Sequence, residues 1–201
     1  MKNLFANRNP KNENKKIIIV SGLPRSGTSM MMKMLTEGGI PAVMDSLRQA
    51  DEDNPNGYFE IESSKSLKDG DKKWLYEAQG KVVKVISYLL EFLPDDLSYD
   101  VIFMEREISE VLASQRKMLQ RRNETSTLTD AEMEAQFREH IRAVKYWTAR
   151  KSNMRILFVK YSQMVETPET LCRSIVDFLV IPLDLKAMQS VPSQSLYRNR
   201  S

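Results

Sequence analysis

Four consecutive β-branched residues, Ile17-Ile18-Ile19-Val20, run straight into Ser21-Gly22-Leu23-Pro24-Arg25-Ser26-Gly27. A helix-compatible segment, Thr28 to Glu37, follows and is stopped by Gly38-Gly39. An unbroken apolar run of this length suits a parallel strand buried on both faces. The spacing from Gly22 to Gly27, with hydroxyls at Thr28 and Ser29, is that of a phosphate-binding P-loop, G-x-x-x-x-G-x-[ST]. Glycines let the backbone curl so that successive N–H groups point inward. The N-terminus of the following helix adds partial positive charge, and together they favour a phosphate-like anion.

The rest of the chain repeats the alternation of strand and helix. Pro41-Ala42-Val43-Met44 reads as a weak strand, Asp45 to Gly57 as polar loop, and Ile61 to Ala78 as a helix broken near Gly70. Strands are expected at Lys81–Ile86, Val101–Met104 and Arg155–Val159, with an amphipathic helix from Glu107 to Arg121. Thr129-Asp130-Ala131-Glu132 is a capping box, so a helix should begin there and run to about Arg150. Thr167-Pro168 places a cap and an N1 proline before a last helix reaching Val180. Alternation of this kind predicts parallel strands with right-handed helical crossovers: an α/β, three-layer P-loop fold whose central, mainly parallel sheet is flanked by helices. Ligands of such sheets bind at the carboxyl ends of the strands.

Composition narrows the function. At 201 residues the chain is long enough for one domain, read here as residues 15–201 behind a polar lead-in of residues 1–14. The apolar fraction of 41% and charged fraction of 28% are those of a globular chain. Thirty Lys+Arg against 27 Asp+Glu leave +3, too mild to argue for a nucleic-acid partner. One cysteine, Cys172, and one histidine, His140, exclude a disulfide framework and a Cys/His zinc site, and no metal is expected. Cys172 reads as a buried apolar residue and His140 as a structural one on its helix. No apolar run is long enough for a membrane span, and the N-terminus lacks the apolar region of a signal peptide, so a cytoplasmic protein is expected.

The loop departs from a nucleoside-triphosphatase at one position. The lysine that should follow Gly27 is Thr28, and the cation stands inside the loop as Arg25. A kinase or GTPase needs that lysine on the β- and γ-phosphates. A loop with Arg25 and hydroxyls at Ser26, Thr28 and Ser29 suits a single 5′-phosphate carrying a group to be transferred. Pro24-Arg25-Ser26-Gly27-Thr28-Ser29 resembles the 5′-phosphosulfate loop of the sulfotransferases, which use 3′-phosphoadenosine 5′-phosphosulfate (PAPS). Arg106, just past the third strand, and Ser114, eight residues on, resemble the family's pair for the nucleotide's 3′-phosphate. Val159-Lys160-Tyr161-Ser162-Gln163-Met164-Val165 with Pro168-Glu169 and Phe178-Leu179 is similar to a further family stretch, in which the tyrosine borders adenine. The resemblance implies PAPS as co-substrate, 3′,5′-bisphosphate (PAP) as product, and a small-molecule acceptor.

It also implies roles for residues outside the loop. Lys84, ending the second strand, stands where the cytosolic branch has a catalytic lysine. The histidine base of that branch would fall at Ile86. Other branches use a carboxylate after the loop helix, and here Asp53 and Glu60 are the candidates within an acidic stretch that also holds Asp45, Asp51 and Glu52. A carboxylate serves as base when partial burial raises its pKa. The family's C-terminal Arg-Lys-Gly segment over the 3′-phosphate is not found, and Arg198 in Tyr197-Arg198-Asn199-Arg200 is the candidate substitute. Two alternatives stay open at this level. One is a P-loop kinase or NTPase, with Val101-Ile102-Phe103-Met104-Glu105 as its Walker B strand. The other is a non-catalytic PAPS/PAP-binding module, suggested by the absent histidine.

Overall fold

The computed structural model describes residues 16–45, 59 and 61–192. Four strands form one parallel sheet: β1 (Ile17–Gly22), β2 (Val82–Lys84), β3 (Tyr99–Glu105) and β4 (Met154–Lys160), in the order β2-β1-β3-β4. β1 is central, with Val20 opposite Lys84 on one side and Ile102 on the other. Its residues Ile17 to Val20 are at most 1% exposed, as the β-branched run requires.

The period of two sends alternate residues to opposite faces. Ile18 and Val20, with Ile102 and Met104, pack on Met30, Met31 and Met34 of α1 (Thr28–Glu37). The same layer takes α6 (Tyr161–Glu166), α7 (Pro168–Leu179) and α8 (Leu185–Gln189) through Met164, Ile175 and Met188. Ile17 and Ile19, with Val101 and Phe103, pack on the other face against Leu67, Leu75 and Leu90, and against Val144 of α5 (Asp130–Thr148). The result is an α/β sandwich of three layers. A smaller cluster joins the loop residue Leu23 to Ile108, Val111 and Leu112 of α4 (Ile108–Arg121) and to Met133 and Phe137 of α5. That cluster holds the loop against the helix that leaves β3.

Local signals set several boundaries. Thr129 Oγ1 accepts from the Glu132 N–H at 3.3 Å, and Glu132 returns the bond to the Thr129 N–H at 2.8 Å, so α5 begins where the capping box puts it. The strand expected at Pro41–Met44 is reduced to a single bridge between Ala42 and Val82, because Pro41 brings no N–H and the segment is short. The helix expected over Ile61–Ala78 is two short ones, α2 (Glu62–Lys65) and α3 (Lys73–Tyr76). Thr167 does not cap α7. Its hydroxyl bonds the Gln163 carbonyl at 3.0 Å, because α6, unexpected from sequence, ends directly before it. Pro168 is the first residue of α7, as expected. Among the described residues no helix is long and apolar enough to cross a membrane.

Candidate functional site

The loop between β1 and α1 curls through two residues of positive φ, Arg25 at 68° and Gly27 at 99°. Ser26 braces the curl: its hydroxyl donates to the Leu23 carbonyl at 2.7 Å and its N–H to the same oxygen at 3.2 Å. Ser26 is therefore a buried strut, with its hydroxyl turned into the loop rather than out of it. Gly27 is demanded twice over. Its backbone is left-handed, and a Cβ there would lie 2.4 Å from the Tyr161 ring. Pro24 is exposed, Thr28 is half-buried at the start of α1, and Ser29 is buried.

Side chains from three other elements converge on this loop. Lys84, the last residue of β2, is buried and its Nζ donates to Ser29 Oγ at 3.2 Å. Ser114 of α4 is buried, and its Oγ accepts from Arg25 Nε at 3.0 Å. Arg106 follows β3, and its Nη1 donates to the Arg25 carbonyl at 3.2 Å. Its guanidinium carbon lies 4.4 Å from the centroid of the Tyr161 ring, close enough for a cation–π contact. Tyr161 opens α6 at the carboxyl end of β4, and burial, first of its causes, raises its phenol pKa. Sequence neighbours 89 and 81 apart thus meet within hydrogen-bond distance at the carboxyl edge of the sheet. Beside them opens a shallow cleft lined by Glu105, Arg106, Glu107, Glu110, Lys160 and Ser162.

Of the residues singled out in the sequence, Arg25, Gly27, Arg106, Ser114 and Tyr161 meet around the loop that Ser26 braces, and Lys84 bonds Ser29 in the first turn of α1. Asp53, Glu60 and Arg198 lie outside the described residues. One residue was missed. Glu110 of α4 is buried, and its Oε2 accepts from Arg106 Nε at 2.8 Å. The signal for it was an opposite charge four residues after Arg106, in the first turn of the expected helix.

His140 stands elsewhere on the same edge. Its Nε2 is 2.9 Å from Ser87 Oγ, and its ring stacks on Tyr88 at 3.7 Å between centroids. Ser87 opens a 3₁₀ turn, Ser87–Phe92, shortly after Lys84. Burial lowers the His140 pKa, so the neutral imidazole is favoured. Cys172 is buried in α7, and burial pushes its thiol up to about 11, the behaviour of an unreactive core residue. Among the described residues no group of three or more His, Cys, Asp or Glu side chains is placed to hold a metal ion.

Comparison with solved structures returns the same architecture. The chain aligns with sulfotransferase STF9 from Mycobacterium avium at a TM-score of 0.57 and 14% identity, over 94% of this chain and 70% of that one. The sulfotransferase domain of the Synechococcus PCC 7002 olefin synthase gives 0.57 and 15%, over 96% and 86% of the two chains. Mouse sulfotransferase SULT7A1, solved with PAP, gives 0.54 and 18%, over 94% and 68%. At these identities the likeness is one of fold. No curated protein sequence matches the chain significantly. A family model described as "Sulfotransferase family" matches residues 39–184, a span that starts after the loop and takes in Lys84, Arg106, Ser114 and Tyr161. The match covers most of the chain independently of the loop that first suggested it, and the chain belongs to the sulfotransferase family.

Proposed function

We propose that the protein is a PAPS-dependent sulfotransferase that moves the sulfuryl group to a hydroxyl or amine of a small-molecule acceptor by in-line transfer. The observation that carries this reading is the joining of two cations through one loop: Arg25 held on Ser114, and Arg106 held on the Arg25 carbonyl. A nucleotide with phosphate at both its 5′ and 3′ positions needs two anion subsites at fixed separation. A loop with Thr28 in place of the NTPase lysine serves a triphosphate poorly. Gly27, left-handed and packed against the Tyr161 ring, lets the loop curl so that its N–H groups can turn inward on an anion. That mouse SULT7A1 was solved with PAP supports the same choice of nucleotide.

PAPS supplies the activated sulfur and a bisphosphate leaving group. In the transfer the acceptor oxygen or nitrogen forms a bond to sulfur as the bond from sulfur to the bridging phosphate oxygen breaks. Arg25, the loop N–H groups and Lys84 stabilise the negative charge that develops on that oxygen. Arg106 and Ser114 hold the 3′-phosphate, with Arg198 as a further candidate, and Tyr161 borders the adenine. Pro24, Ser26, Gly27, Thr28 and Ser29 shape and line the 5′ subsite. Asp53 or Glu60 takes the acceptor's proton.

The test is ligand-induced thermal stabilisation, since a ligand that binds only the native state raises Tm. PAP should raise Tm without magnesium, and release of PAP from PAPS should accelerate when acceptor is present. Stabilisation by magnesium-ATP with no response to PAP would refute the reading.

A further inference from the structure

Among the described residues two carboxylates are buried, Asp100 and Glu110. Asp100 lies towards the amino ends of the strands, opposite Ile18, and is neutralised by Lys16 at 3.1 Å and by Arg155 at 2.7 and 2.6 Å. Glu110 lies at the other edge, inside the candidate site, and the mechanism above does not use it.

Its position is costly for a site that must attract anions. Glu110 sits 2.8 Å from Arg106 Nε, with the two side chains 3% and 8% exposed. A carboxylate so close reduces the positive potential that a phosphate would meet, and low local polarity makes the reduction larger. What the contact provides is direction. A guanidinium is a rigid planar fork of donors, and its bidentate contacts with phosphate depend on how that fork is turned. Arg106 is held through Nε on Glu110, through Nη1 on the Arg25 carbonyl, and by its face on Tyr161. The bond to Nε fixes the edge of the planar guanidinium that faces Glu110, and with it the direction of the remaining donors.

We propose that Glu110 is a positioning residue: it turns Arg106 toward the nucleotide's 3′-phosphate and thereby sets the preference for an adenosine 3′,5′-bisphosphate over the 5′-monophosphate. This rests on the nucleotide reading given above. Glu110 acts through Arg106 and touches no reacting atom.

Calorimetric titration of the full chain with PAP and with adenosine 5′-monophosphate tests it. Glu110→Leu removes the acceptor oxygen at similar size, and the preference for PAP should fall at least about tenfold. Glu110→Gln keeps an oxygen for Nε, and its preference should stay within about threefold of wild type. A preference that falls less than that in Glu110→Leu, an equal weakening of both nucleotides, or a Glu110→Gln variant as poor as Glu110→Leu overturns the inference. Should Glu110→Leu fail to fold, Arg106→Gln is compared with the Arg106→Gln/Glu110→Leu double variant, in which no buried charge is left alone. Equal PAP affinity in the two supports action through Arg106, and a further loss in the double variant overturns it. Wild-type protein that binds both nucleotides alike, or neither, sinks the nucleotide reading along with this inference. A wild-type preference that survives Glu110→Leu sinks the inference alone.

Discussion

The carboxyl edge of the sheet is built in two different ways. Around β1, β3 and β4, polar side chains hold one another: Arg25 on Ser114, and Arg106 on Glu110, the Arg25 carbonyl and the Tyr161 ring. Past the end of β2 several apolar side chains are exposed. Ile86 is 42% exposed and Tyr88 41%, while Met44, from the segment bridged to β2, is 56% exposed. Lys84 is the seam between the two regions, ending β2 and bonding Ser29 of α1. On the proposed reading the first of these regions is the one that meets the nucleotide. A nucleotide with fixed charges needs donors held in fixed directions before it arrives.

That contrast can be broken by substitution, most severely at the loop. Arg25→Ala should lower sulfuryl transfer by about 10²–10³-fold, the range for loss of one preorganised charge-stabilising group, with little change in Tm. Unchanged turnover, measured by PAP release, would remove Arg25 from the chemistry. Gly27→Ala forces a Cβ into the Tyr161 ring at a left-handed position, and should cost about 1–3 kcal/mol of folding stability and abolish the PAP-induced Tm shift. A denaturation midpoint equal to wild type would mean that Tyr161 yields freely. Arg106→Ala should weaken PAP binding by about 1.5–3 kcal/mol, read by titration calorimetry, the range for a hydrogen bond to a charged group. In contrast Tyr88→Ala, on the apolar side, should leave PAP affinity within about twofold of wild type. A large loss there would merge the two regions into one site.

The smallest effect concerns His140. Burial depresses its folded pKa below the ordinary value of 6.5. Its neutral form therefore favours the folded state above that value, and the contribution is lost as pH falls from about 6.5 through the folded pKa. Wild-type stability should decline more steeply with acid in that window than that of His140→Gln, by at most about 1.4 kcal/mol per pH unit. Urea melts at several pH values measure the difference, and parallel slopes would show that His140 is equally solvated in both states.

Much of the fold could be read from particular residues. Ile17 to Val20 predicted a doubly buried strand, and it is the centre of the sheet. Thr129 and Glu132 predicted a helix start that the capping bonds fulfil. The short elements escaped: α6, α8 and the 3₁₀ turn Ser87–Phe92 lack a full period of apolar residues. Asp184, whose side chain accepts from the Ala187 N–H at 3.0 Å, was a readable cap for α8. At the site, the residue types were legible but their pairing was not. Arg106 and Ser114 were both singled out, but their contacts to Glu110 and to Arg25 could not be read from spacing to the loop.

What the chain carries in its order alone is local: a β-branched run, a glycine-bounded curl, a helix start, and a spacing that sets Arg106 at the end of a strand and Ser114 two turns into the helix that follows. Such features follow from backbone sterics and hydrogen bonds between residues a few positions apart. Partners drawn from separate strands were settled by packing instead. Lys84 meets Ser29 because β2 lies beside β1 with Val20 opposite Lys84, and Arg25 meets Ser114 because the Leu23 cluster seats the loop on α4. Glu110 is a case of the same kind: a charge pair four residues apart is common on a surface, and tertiary packing buries this one.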